Sequence, residues 1–398
     1  MKIGILTFHR PSNFGANLQA YASTSLLKKL GHEVKVIDFV RKVDLDYGAK
    51  VPQVQFLSHM LFIENNLPLT CRVSDADGLR MICRDEKFDL LIIGADAVWR
   101  VPKDGGIYFA TWVFDTPDLA STMKVASMSA AHMGNGFSEL NASEREVIKD
   151  CLEHFSYISV RDTWTRDKIN HDIFGNQEYV QIINYDPVFM LSRYVENVEW
   201  DCRGQAAKGY LLMSLPKNWL SESGRFKVFR KIWFYRFKKL VRKAGLKLIE
   251  FPIPEGKSGL EFDFCVDYPI DPIQWFLWIK NAKGFIGLRY HAIVSSISNC
   301  TPFFSIDSYG SSSPNAYRLD YLGLHKRARS LDVNSKIRNL LLKTPFERNR
   351  TGRNLETESP KRILSLLLDC QMDKLVQFKE HAQGVFEHNM EELLKTVG

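Results

Sequence analysis

Several patterns that announce a chemistry are missing from this sequence. The seven cysteines (71, 83, 151, 202, 265, 300 and 370) form no Cys-x-x-Cys pair, and their odd number argues against a closed disulfide framework. A reduced compartment without structural zinc is therefore expected. No His-Glu-x-x-His occurs, and His381 and His388 are not spaced as i, i+4 ligands, so metal catalysis lacks support. The absence of Gly-x-Ser-x-Gly disfavours a serine hydrolase of that class. No uncharged apolar run approaches the roughly 18 residues that a bilayer span requires. Ile3 to Phe8 is too short for a signal peptide and charge resumes at His9-Arg10, which points to a cytoplasmic protein. Repeats and low-complexity segments are also missing.

What is present is an ordinary globular composition: 398 residues, 45% hydrophobic and 25% charged, with a formal net charge of +7. So mild an excess does not indicate nucleic acid as a partner. At about 150 residues per domain, two domains are expected. Residues 1–195 alternate strands and helices. Lys2 to Phe8 is an apolar run without polar alternation, as in a buried parallel strand. A helix over Ala16 to Leu30 follows, stopped by Gly31. Further strands are predicted at 34–39, 89–93, 124–129, 157–160 and 179–183. After a polar boundary within 195–208 the pattern restarts, giving a second domain over 205–345. Its strands are predicted at 210–214, 246–251, 284–288 and 303–306, with helices at 226–244, 272–282 and 292–299. A helical tail over 355–398 should pack back on the body. The fold class is α/β, with two Rossmann-like domains facing a central cleft in a GT-B-like arrangement.

Ligands of parallel sheets bind at the carboxyl ends of the strands. Three loops there carry candidate residues. The first, His9 to Gly15, is not Gly-x-Gly-x-x-Gly, so the dinucleotide fingerprint is missing. Asp38, which would suit a ribose within that fingerprint, reads alone as a turn residue. Asn13, Gly15 and Gln19 either recognise hydroxyls at a helix N-terminus or simply start a capped helix. The second loop, Gly94-Ala-Asp-Ala-Val-Trp99, pairs an acid with an aromatic, a common way to hold a sugar. Alternatively Trp99 is core and Asp96 a cap.

The third loop, Gly287-Leu-Arg-Tyr-His-Ala292, is the most informative. Arg289 and His291 are two apart, so on extended backbone they point the same way, towards the start of a following helix. Arginine offers a fork for carboxylate or phosphate. Histidine, with an ordinary pKa of about 6.5, can carry a proton near neutrality. An anionic small molecule is expected there. Arg161, at another strand end, is either a second anion contact or a surface partner of Asp162. Residues 226–245 hold eight Lys/Arg and no acid. Phe229, Trp233, Phe237, Leu240 and Val241 share one side of the helical wheel, with Lys227, Lys231, Lys238 and Arg242 opposite. Such a helix either lies on anionic lipid or packs its aromatic side into the domain core.

At these same loops the chain resembles the polysaccharide pyruvyl transferase family, from Met1 to about Ala328. The likeness is carried by Lys2-Ile-Gly-Ile-Leu-Thr-Phe8 with Asn13-Phe-Gly-Ala-Asn-Leu-Gln-Ala-Tyr-Ala22, by Leu91 to Trp99 and by Ser159-Val-Arg-Asp162. It continues through Asp186-Pro-Val-Phe-Met-Leu191, Trp275 to Ala282, Gly287 to Ala292 and Thr301 to Ile306. The resemblance implies a GT-B-like pair of Rossmann-type domains. It also implies transfer of a pyruvyl ketal from phosphoenolpyruvate to a sugar of a surface polysaccharide or its lipid-linked precursor. Phosphoenolpyruvate is then a co-substrate, and no cofactor or metal is needed. His291 would be the catalytic residue. Arg289, Lys217 and Arg161 would bind the donor, and Asn13, Gly15, Gln19, Asp96 and Trp99 the acceptor. Two departures stand out. Gly94-Ala-Asp-Ala97 replaces the family's usual Gly-Ser-Asp-Gln, so only Asp96 carries over. Met213-Ser-Leu-Pro-Lys217 places a lysine near where some relatives place an arginine. The expected location is cytoplasmic, with peripheral attachment to the inner face of the membrane through 226–245. Two other readings fit the same architecture: a GT-B glycosyltransferase using a nucleotide sugar, and a non-catalytic glycan-binding protein.

Overall fold

The computed structural model describes the chain except residues 42–47, 49, 101–105, 133–136, 205–208, 218, 221–224, 254–255, 308–334 and 353. Part of the expected linker, and the family likeness beyond residue 307, therefore lie outside the described residues. The chain divides into two compact units. The first comprises Met1–Ala49, His59–Tyr194 and His381–Gly398; the second comprises Lys50–Ser58 and Val195–Glu380.

The first unit is built on β1 (Lys2–Leu6), β2 (Glu33–Val36), β3 (Leu90–Ile93), β4 (Lys124–Ala130), β5 (Tyr157–Val160) and β6 (Ile182–Ile183). They form a parallel sheet in the order β2-β1-β3-β4-β5-β6. Strand β3 reads Leu-Leu-Ile-Ile with every residue fully buried, which requires cover on both faces. Alternation sorts the side chains accordingly. Leu6, Leu91 and Ile93 join Trp99, Phe109 and Trp112 on one face. Ile3, Ile5, Leu90 and Ile92 join Phe386, Met390, Leu393 and Val397 on the other. Those four belong to the helix Met372–Val397 and recur at helical spacing. Helix α1 (Phe14–Lys29) begins two residues earlier than the sequence suggests, because the Asn13 side chain accepts from the Gly15 amide at 2.9 Å. It ends as expected, with Gly31 at φ 86°.

Gly94 ends β3 in a conformation and a space that exclude a side chain. Its φ is 119°, and a Cβ there would lie 2.2 Å from the Met128 carbonyl oxygen. Gly94→Ala should therefore lose on the order of 3 kcal/mol or more of stability. Urea unfolding measures it, and a variant as stable as the parent would contradict the crowding.

In the second unit β7 (Tyr210–Ser214), β8 (Lys247–Glu250), β9 (Phe264–Cys265), β10 (Gly284–Gly287), β11 (Phe303–Ile306) and β12 (Arg350–Thr351) are again parallel. Their order is β12-β11-β10-β7-β8-β9. The long helix α2 (Arg225–Lys243) packs Trp233, Phe234, Phe237 and Val241 against Leu211, Met213 and Leu248. Asp271 caps the helix Pro272–Lys280, accepting from the Ile273 amide at 2.7 Å with Pro272 in the first turn. No helix among the described residues is long and apolar enough to cross a membrane.

Candidate active site

Where strand order reverses in a parallel sheet, the loops on either side diverge and leave a crevice at the strands' carboxyl ends. The reversal falls between β1 and β3 in the first sheet and between β7 and β10 in the second. The loops singled out from the sequence flank these two points.

In the second unit, Lys217 follows β7, while Arg289 and His291 follow β10. The two strand ends are close because Gly287 pairs with Ser214, and a Cβ on Gly287 would sit 2.7 Å from the Ser214 Cβ. The local geometry corrects the sequence argument. Strand β10 stops at Gly287, and helix α3 (Tyr290–Ser298) starts two residues earlier than expected. Arg289 is thus the residue before the helix and His291 lies in the first turn; extended alternation does not relate them. A tight turn does, with Arg289 at φ 81° and ψ 127°, a conformation non-glycine residues adopt rarely. The Arg289 side chain does not cap the helix, whose N-terminal dipole favours an anion. Both Arg289 and His291 are half-buried, and the Tyr290 ring stands edge-on to the imidazole at 5.3 Å. Lys217 is exposed, its stem beside Gly256.

Neighbouring strand ends carry two acids that the sequence reading passed over. Glu250, buried at the end of β8, accepts from the amide and hydroxyl of Ser258, both at 2.6 Å. Asp307, buried after β11, accepts from the Ser335 hydroxyl and lies 3.7 Å from Arg350 Nε.

In the first unit, the loops after β1 and β3 are tied together. The Thr7 hydroxyl accepts from Gln19 Nε2 and donates to the Ala95 carbonyl, each at 2.9 Å. Gln19 also donates to the Phe8 carbonyl at 2.8 Å and is fully buried, so here it braces the loop and presents no surface to an acceptor. Gly15 is buried with its amide committed to Asn13, which is itself half-buried. Trp99 is core: its indole is fully buried, donates to the Tyr108 carbonyl at 2.8 Å and stacks on Phe109. No face of that ring is left for a sugar. Arg161 is also corrected. It neither pairs with Asp162 nor presents a free fork, because Nη1 lies 3.0 Å from Asp186 and 3.3 Å from Asp96. With two carboxylates against it, the guanidinium is a poor anion receptor, and it holds Asp96 in place. Asp96 is slightly exposed and sits at φ 74°.

Asp38 is no turn residue. Buried behind the first loop, it receives Arg10 through two hydrogen bonds, at 2.7 and 2.6 Å, and His9 Nε2 at 3.1 Å. Burial alone would raise its pKa. The hydrogen bonds and charges of His9 and Arg10 reverse that and hold the carboxyl far below the usual range. Nearby, Asn17 Oδ1 accepts from His59 Nδ1 at 2.6 Å. Burial pushes the His59 pKa down to about 3, so the ring is neutral.

The polysaccharide pyruvyl transferase model matches residues 13–309. The chain belongs to the polysaccharide pyruvyl transferase family. No curated protein matches the sequence. Solved structures similar over the whole chain include the UDP-GlcNAc 2-epimerase of Methanocaldococcus jannaschii, at 11% identity over 94% of both chains with a TM-score of 0.52. A putative UDP-N-acetylglucosamine 2-epimerase from Listeria monocytogenes reaches 0.55, at 10% identity over 98% of this chain and 97% of its own. The Neisseria meningitidis UDP-GlcNAc 2-epimerase, bound to UDP-GlcNAc, reaches 0.52 at 10% identity over 100% and 99%. At such identities they establish the fold of this pyruvyl transferase family member: two Rossmann-like domains of GT-B-like type. The family match includes Asn13, Asp96, Lys217, Arg289 and His291. Among the described residues no group of three or more His, Cys, Asp or Glu could hold a metal ion.

Proposed function

We propose that the protein is a phosphoenolpyruvate-dependent pyruvyl transferase that builds a ketal on a sugar of a surface polysaccharide or its lipid-linked precursor. The family gives the transferase class. The observation supporting the donor assignment is a guanidinium, an imidazole and an ammonium on the two loops flanking the second sheet's reversal point. Phosphoenolpyruvate is a small trianion, and such a cluster suits it.

In the proposed reaction His291 protonates the donor's methylene carbon, which becomes a methyl group. A sugar hydroxyl attacks the cation-like C2 and gives up its proton to His291. The C2–O bond to phosphate then breaks. A second hydroxyl attacks C2, its proton leaving with the phosphate, and the ketal ring closes. Arg289, Lys217 and the α3 N-terminus hold carboxylate and phosphate. The acceptor contacts are Asn13 and Asp96 of the first unit, Asp96 being set by Arg161. No step draws on a metal. The protein would work at the inner face of the membrane, where a lipid-linked acceptor is found.

A phosphate-release assay across candidate acceptors tests the reading. Phosphate should appear only when phosphoenolpyruvate and the right sugar are both present. Consumption of a nucleotide sugar without phosphoenolpyruvate would instead identify a glycosyltransferase, and no turnover with any acceptor that binds would identify a glycan-binding protein.

A further inference from the structure

The basic helix α2 meets one of the two expectations for it, because its aromatic side packs into the domain core, apart from Phe229, which is 44% exposed. Its aromatic side is not available to lipid, since Trp233, Phe234, Phe237 and Val241 are core. Three of its bases are also spoken for. Arg230 is buried against Glu356 with Nε 2.9 Å from Oε1, and Lys238 and Arg242 both pair with Asp263. Yet the outward face is not simply a solvated basic surface. Val228, Ile232 and Tyr235, at i, i+4 and i+7, are 56, 48 and 44% exposed. With Lys231, Arg236 and Lys239 they line a shallow surface groove. Lys227 and Lys243 extend the basic flanks, and all five of these side chains are exposed. Among the described residues none of the five has a carboxylate partner, and the helix itself carries no acid. One acid, Glu261, borders the stripe: it accepts from the Tyr235 hydroxyl at 3.3 Å and lines a second groove with Lys239 and Lys243, without pairing with either.

We infer that this outward face of α2 docks on an anionic bilayer, with Val228, Ile232 and Tyr235 entering the headgroup region and Lys227, Lys231, Arg236, Lys239 and Lys243 meeting lipid phosphates. An apolar stripe flanked by unneutralised bases is the arrangement that interfacial helices use. Long lysine and arginine stems can lie along the apolar surface while their charges reach outward. A nucleic-acid backbone would satisfy the bases but gain nothing from exposed valine and isoleucine, and a second copy of this face would bring like charges together. The inference deepens the reading of a membrane-carried acceptor and gives it a surface.

The test is sedimentation of the full chain with vesicles of phosphatidylcholine plus phosphatidylglycerol, against phosphatidylcholine alone, at low and high salt. Binding should require the anionic lipid and weaken with salt. Lys231→Glu and Lys239→Glu should each lower partitioning by at least about fivefold, the effect expected for losing one surface charge. Ile232→Asp should lower it comparably by removing insertion. All three positions are exposed, so urea midpoints should match the parent. Absence of binding at low salt, equal binding to phosphatidylcholine alone, or variants that bind as the parent does would each overturn the inference. So would a lipid-free dimer abolished by Ile232→Asp. Phosphate release with a soluble acceptor should be unchanged in these variants; because lipid binding is read without turnover, either proposal can fail alone.

Discussion

His291→Ala should lower turnover by about 10²–10⁴-fold, the usual worth of a general acid–base group. The side chain is half-buried in the first turn of α3, outside the fully buried core, so the unfolding midpoint should barely move. Donor affinity should also be little changed, because the proposed anion contacts are Arg289 and Lys217. Single-turnover phosphate release, with donor binding followed separately, distinguishes the steps. A variant that keeps most of its turnover removes the imidazole from the chemistry. One that loses donor binding equally makes His291 a binding group.

The second large effect concerns stability. Asp38→Asn removes the charge that compensates buried Arg10 and weakens the acceptor of His9, whose side chains are 6% and 0% exposed. Breaking a buried pair by deleting one partner typically costs about 3–5 kcal/mol. The pH dependence follows from the depressed carboxyl pKa. A carboxyl that is more acidic folded than unfolded stabilises fully above its unfolded value of about 3.9, and that stabilisation drains away as the pH falls towards the folded value. The gap between parent and variant should therefore be complete at pH 7 and shrink below about pH 4. Urea unfolding across that range measures it, and a gap that widens on acidification would contradict the assignment.

Much of the frame was legible in the sequence because buried parallel strands are unbroken apolar runs. Tyr157–Val160, Tyr210–Ser214 and Phe303–Ile306 are strands at the expected residues. Boundaries moved where side chains decide them, as at Asn13, or where one strained residue turns the chain, as at Arg289. The helices Gln53–Asn66, Ala76–Glu86 and Ala142–Glu153 were not anticipated, although the last carries a capping box of Asn141 and Glu144 that could have revealed it. The site was legible as loops but not as contacts. Trp99 and Arg161 stand beside a strand's carboxyl end like ligand-binding residues, and only packing reveals that one is core and the other neutralised. The hub of His9, Arg10 and Asp38 left a trace, since an acid and two bases end adjacent strands. Composition cannot show that all three turn inward.

The first unit is assembled from stretches far apart in sequence, residues 1–49 and 59–194 with residues 381–398. While residues 381–398 are still being synthesised, Ile3, Ile5, Leu90 and Ile92 have no lid on one face of their sheet. That unit must wait, partly bare, until residues 381–398 have been made, although all of its strands come earlier in the chain. Removing residues 381–398 would not trim a loose end: it would strip the roof from strands made well before them.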